Sequence, residues 1–213
     1  MNLWLNRTVR TAGALTLAAV TICGCTSTEV SDKGVISTRS SSSEAPIRQI
    51  DDQGRRLPFT TSFPDRWSNL NNGSAYEPCT ALTESEISGL GIDPRSVEDL
   101  AAANHQTARG CRWFIVEPSA SVLYQAVGNF PGLAAYKRKN SNLLNWQNDL
   151  ILAGRTVAIG IRPGRSSCVT NVQSGAAVVN TSVTFDSDPM RDAQDACAKA
   201  IAFTKATIGK MPP

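Results

Sequence analysis

The chain has 213 residues, with 21 Lys and Arg against 18 Asp and Glu and one His, a formal charge of +3. That near-balance excludes the strongly basic footprint expected of a nucleic-acid partner. The length suits one domain with appendages.

Arg7 and Arg10 precede an uncharged run of twelve residues, Thr11 to Ile22. A bilayer core about 30 Å thick needs roughly 20 apolar residues. Residues 1–24 therefore read as a cleaved signal peptide rather than a membrane span. The run ends in Ile22-Cys23-Gly24-Cys25, a lipobox in which small Gly24 precedes the cut and the Cys25 thiol receives a diacylglycerol. Bulky Ile22 excludes Cys23 as the modified residue. The alternative is an ordinary signal peptide cut near Gly24, leaving Cys25 a free thiol. Two acyl chains anchor stably where one does not. The expected location is therefore the extracytoplasmic face of the cell membrane, lipid-anchored and facing an oxidising space. Residues 1–24 carry two arginines and no acid, so the mature charge is +1. The expected partners are the membrane, through Cys25, and an envelope protein or lipid.

Residues 25–56, rich in Ser and Thr, read as a disordered tether with a reach of roughly 30 Å; sugars on its hydroxyls are the other reading. Residues 57–75 bring Pro58, Phe59, Phe63, Pro64 and Trp67 and read as an extended arm whose aromatics dock on the domain. The domain itself is expected over 76–213. Four cysteines remain, Cys79, Cys111, Cys168 and Cys197. An even number in an exported domain points to disulfides, with three connectivities open. Nearest neighbours, Cys79–Cys111 and Cys168–Cys197, are the preferred pairing. No C-x2-C pair supports the rival zinc site.

Thr83-Glu84-Ser85-Glu86 is a capping box, opening a short helix with Ile87 and Leu90 inward. Asp93-Pro94 is expected to cap a second helical stretch carrying Val97, Leu100 and Ala101. Residues 110–116 and 121–130 read as a strand hairpin, with Trp113 in the core, and 133–144 as a helix exposing Lys137, Arg138 and Lys139. Residues 156–162 alternate as a strand. Residues 167–173 and 176–185 form another hairpin around Ser174-Gly175. A last helix opens at Asp188-Pro189, with Ala193, Cys197, Ala200, Ile201, Thr204 and Ile208 as its buried stripe. The expected fold is α+β, an antiparallel sheet of about five strands with helices on one face and two disulfides.

The residues Tyr76-Glu77-Pro78-Cys79-Thr80-Ala81-Leu82, then Arg109-Gly110-Cys111-Arg112-Trp113, with later paired cysteines behind a lipobox, resemble a family of actinobacterial, notably mycobacterial, envelope lipoproteins. Their shared domain carries only an unknown-function label. The resemblance covers roughly residues 57–210 plus the lipobox, and implies a lipid-anchored extracytoplasmic domain with Cys79 and Cys111 bridged. It implies no activity for any residue.

No catalytic residue, metal ligand or cofactor is expected. His105 sits in a polar stretch, and no G-x-S-x-G elbow accompanies it. Asp186, Asp188, Asp192 and Asp195 do not have the spacing of an EF-hand loop, and capping of the last helix accounts for them. The function expected is a non-enzymatic binding or interaction module of the cell envelope. The alternatives are a lipid carrier with an apolar cavity, or a hydrolase or transferase acting on envelope glycans or lipids.

Overall fold

In the computed structural model, residues 46–117, 120–186 and 192–213 are described, all within the compact unit Glu44–Pro213. The elements run α1 (Glu84–Gly89), β1 (Glu98–Asp99), β2 (Arg109–Phe114), β3 (Val122–Val127), α2 (Leu133–Lys139), β4 (Asn145–Trp146), β5 (Leu150–Leu152), β6 (Arg155–Ile161), β7 (Ser167–Ser174), β8 (Ala177–Thr184) and α3 (Ala193–Thr207). An eight-stranded sheet is ordered β1-β2-β3-β8-β7-β6-β4, with β5 also on β6. The pairings are antiparallel throughout. The fold is α+β, with a sheet larger than the five strands expected.

The additional strands are short edge pieces. Residues Leu150–Leu152 turn back into β6 through Ala153 (φ 48°) and Gly154 (φ 74°), the two positive φ values of a type I′ hairpin. Alanine rarely takes that conformation, which hides the turn in the sequence. The second helical stretch expected after Asp93-Pro94 is also corrected. The Asp93 side chain accepts from the Arg95 amide, but the winding stops at Ser96. Glu98–Asp99 then pair with Arg112 and Cys111. The helix expected over 133–144 ends at Lys139, where Asn140 Nδ2 donates to the Tyr136 carbonyl. Buried Leu144 then leads into β4, and Trp146 Nε1 donates to the Lys137 carbonyl.

Side chains alternate across a sheet, and here the two faces carry different covers. Cys168 and Thr170 of β7, Thr181 of β8 and Gln125 of β3 meet α3. Asn171 and Asn180 point the other way. Asn180 Nδ2 donates to Asn171 Oδ1 and to Tyr136 Oη on α2. Helices therefore pack on both faces, correcting the one-face expectation. The larger core lies under α3, where Trp113 and Phe203 rings pack at 5.5 Å beside Leu123, Ile159 and Val183.

The described part of the last helix starts after Asp192, whose carboxylate accepts from the Gln194 and Asp195 amides. The expected opening at Asp188-Pro189 lies outside the described residues. The buried stripe is Ala196, Cys197, Ala200, Phe203, Thr204 and Thr207, rotated from the expectation that included Ala193 and Ile201. A polar chain beneath the helix sets that rotation. Tyr76 Oη donates to Gln125 Oε1 at 2.5 Å, and Gln125 Nε2 donates to Thr181 and Thr207 hydroxyls at 2.9 and 3.1 Å. Thr204 shares a 2.6 Å hydrogen bond with Thr170. Such groups cost free energy when buried without partners, so only one rotation of α3 satisfies them. Burial raises the pKa of Tyr76 far above its ordinary value, which keeps it a donor.

Gly110 shows a second constraint. A Cβ there would collide with the Gln125 carbonyl across the β2–β3 pair, so the strand admits only glycine.

Residues 46–56 correct the tether boundary expected at residue 56. Ile50 and Arg56 form a bridge around a turn. Buried Asp51 accepts from the Gln53 and Arg55 amides, Arg55 Nε and the Thr80 hydroxyl. Desolvation opposes its charge, but these donors outweigh it and hold its pKa below 3.8. A depressed folded pKa gives stability that is present above the unfolded value and lost as pH falls through the folded one. Asp51→Asn should therefore be less stable than wild type at pH 7, with the gap closing in acid below 3.8. Urea denaturation at pH 7 and at about pH 3 checks this; a gap independent of pH would count against it.

Cys79–Cys111 and Cys168–Cys197 are bonded, with Cα separations of 5.4 and 4.9 Å. The first ties the segment before α1 to β2; the second ties α3 to β7. Each closes a loop of about 30 residues, for which chain entropy predicts about 3–4 kcal/mol. Cys168→Ala with Cys197→Ala should lower unfolding stability by about that amount while leaving the domain folded at 25 °C. Denaturant melts and near-ultraviolet circular dichroism provide the measurement.

Candidate functional site

The arm at residues 57–75 docks through a charge as well as its aromatics. Arg66 is buried. Its Nη1 and Nη2 donate to Glu77 at 2.8 and 3.1 Å, and its Nε donates to Asp99 Oδ1 at 3.0 Å. Arg109, at the start of β2, adds Nη1 to Glu77 Oε2 at 3.3 Å and donates to the Tyr76 and Ser74 carbonyls. The four charges balance. Desolvation disfavours the Arg66 charge, but Glu77 and then Asp99 more than compensate and raise its pKa. For Arg109 burial wins, with Glu77 opposing and Arg66 assisting, and its pKa is lowered. Two guanidiniums pack on Trp67, Arg66 at 4.5 Å and Arg48 at 4.3 Å from its ring centroid.

This knot is structural chemistry. Both carboxylates are committed to guanidinium groups, so neither is disposed to act as nucleophile or base. His105 Nε2 lies 3.3 Å from Asp65 Oδ2 with both side chains well exposed. Asp186 is exposed, Asp192 caps α3, and Asp188 lies outside the described residues. Among the described residues no group of three His, Cys, Asp or Glu could hold a metal ion. Lys137 pairs with Asp149 at 2.9 Å and lies 5.5 Å from the Trp146 centroid; exposed Arg138 and Lys139 follow it in the last turn of α2. Trp113 is buried in the core. Cys25 lies outside the described residues. Among the described residues no helix is long and apolar enough to cross a membrane.

What the surface offers is clefts. One, about 540 Å³, lies where the β2 end meets the turn after α1, lined by Ile92, Pro94, Phe114, Ile115, Val116 and others. Phe114 and Val116 are 41% and 58% exposed at its rim. Asp93 N donates to the Phe114 carbonyl and Val116 N to the Gly91 carbonyl, so this strand edge is already paired and the side chains form the open surface. A second cleft, about 370 Å³, lies under the arm between Arg48, Trp67 and Arg109. Sequence reading singled out neither Arg66 nor Phe114 and Val116. An arginine flanked by aspartate and tryptophan was the available signal for the first; the loss of strand alternation at Phe114-Ile115-Val116 was the signal for the others.

The fold defines a small disulfide-stapled α+β domain with open clefts on its surface. Residues 20–210 match the profile of a family described as "Protein of unknown function (DUF3558)", and the chain belongs to that family. Comparison with curated proteins and with solved structures gave no match.

Arg66→Met should be severe, because it leaves buried Glu77 and partly buried Asp99 without their principal counter-charge. Breaking a buried pair from one side costs about 3–5 kcal/mol. Denaturant unfolding should register that loss; a change below about 1 kcal/mol would mean the knot is not a determinant of stability.

Proposed function

We propose that the protein is a lipid-anchored lipoprotein on the extracytoplasmic face of the cell membrane, acting without catalysis as a module that binds an envelope protein through an apolar surface. The observation that carries this reading is the Phe114–Val116 rim, where two exposed apolar side chains stand over a cleft floored by Ile92 and Ile115. Exposed apolar side chains that cluster at a cleft mark interaction sites more often than isolated ones do. Burying a side chain of this size contributes about 1.5–3 kcal/mol, so a partner covering both gains enough for specific contact. The commitment of Glu77 and Asp99 to arginines weighs against the envelope hydrolase reading. The openness of the cleft weighs against the enclosed cavity of a lipid carrier.

Two substitutions separate anchoring from binding. Cys25→Ser should move the protein from the membrane to the soluble fraction with its domain folded. Retention after a salt wash would show that the apolar run itself is the anchor. Phe114→Ser with Val116→Ser should remain anchored and folded but lose, by about tenfold or more, the adduct that site-specific cross-linking from position 94 forms with an envelope protein. An undiminished adduct would sink the assignment of this surface.

A further inference from the structure

The cleft beneath the arm is built differently from the apolar one. Its volume of about 370 Å³ falls in the small-ligand range of roughly 300–1,000 Å³. Trp67 forms one wall, and Arg48, Asp52, Asn69, Asn72 and Arg109 contribute to the rest. Buried Arg66 lies 4.5 Å from the indole centroid. The Arg48 guanidinium lies 4.3 Å from the same centroid, and its side chain is 38% exposed. A cation over an aromatic ring at such an exposed site is weakly held, and Arg48 swings aside once its exposed Nε donation to the Ile50 carbonyl at 2.6 Å and its exposed pair with Asp52 are released.

The cations of this cleft are already matched. Arg48 pairs with Asp52 at 2.5 Å, and Arg109 with Glu77 at 3.3 Å. A ligand with its own negative charge would therefore compete with carboxylates already in place. By contrast, the Asn69 and Asn72 amides make no hydrogen bond to the described residues, and each supplies both donors and an acceptor. The Asp52 carboxylate adds acceptor capacity. An aromatic face flanked by amides and a carboxylate, without net charge to satisfy, is complementary to a ring that is apolar on its face and hydroxylated at its edge.

We propose that this cleft binds a neutral saccharide, one sugar ring replacing Arg48 over Trp67 while its hydroxyls bond Asn69, Asn72 and Asp52. The inference adds a ligand class to the binding-module reading. It uses a different surface from Phe114 and Val116, so either can fail alone.

The test is a heteronuclear titration of the mature chain with maltotriose, cellotriose or mannotriose, and separately with inorganic phosphate. The Trp67 indole and the Asn69 and Asn72 side-chain amides should shift with at least one trisaccharide. The shifts should approach saturation at about 20 mM, as a Kd near 1 mM requires. Asn72→Ala removes an exposed side chain that bonds nothing in the described protein, so it should fold and lose affinity about tenfold. Trp67→Leu should lose binding altogether, and Asn72→Ala decides the matter if that variant does not fold. The proposal is overturned if none of the three trisaccharides shifts these signals. It is overturned equally if phosphate alone shifts them, or if Asn72→Ala binds like wild type.

Discussion

The buried charge of Arg66 is the interaction on which the N-terminal half of the domain depends. A guanidinium taken out of water costs several kcal/mol unless it is fully paired. Glu77 and Asp99 supply that pairing from two separate segments. Satisfying one side chain therefore places the arm, the segment holding Cys79 and the short edge strand β1 around the start of β2. The Cys79–Cys111 bridge lies within this arrangement, and Arg66 Nη2 reaches the Cys79 sulfur at 3.1 Å. The bond limits how far these segments can separate when unfolded, while the charges select their arrangement when folded. Neither duty substitutes for the other.

Under α3 the same division appears in different chemistry. The Cys168–Cys197 bridge limits the helix's separation from β7, and the hydroxyl and amide chain from Tyr76 to Thr207 fixes its rotation. Apolar packing tolerates modest slippage. A buried hydrogen-bond chain does not, because each broken link strands a donor.

What could be read from the sequence follows from how local its cause is. The capping box at Thr83 and Glu86 formed as written because both partners lie within one turn. The hairpin of β7 and β8 is encoded in a glycine turn and alternating β-branched residues. The elements misread were those decided at a distance. Glu98–Asp99 is a strand because β2 is available as its partner, and α2 stops early because Trp146 reaches back to its last turn. Part of the knot was nevertheless in view. Glu77 and Arg109 stand inside the two short motifs around Cys79 and Cys111, but their pairing through Arg66 spans gaps that no periodicity encodes. The Phe114–Val116 rim was hidden for another reason: both residues read as strand interior, and only the fold shows that their side chains stay exposed.

The order of the strands has a mechanical consequence. One staple joins the segment before α1 to β2, the other joins β7 to α3, and neither crosses the junction where β3 meets β8. That junction is held by six backbone-paired positions, from Val122 with Thr184 to Val127 with Val179. The Gln125 side chain and the contact of Trp113 with Phe203 reinforce it from the α3 side. With both covalent links in place, this seam is held by non-covalent contacts alone. Parting there would leave two halves, each still holding its own covalent cross-link.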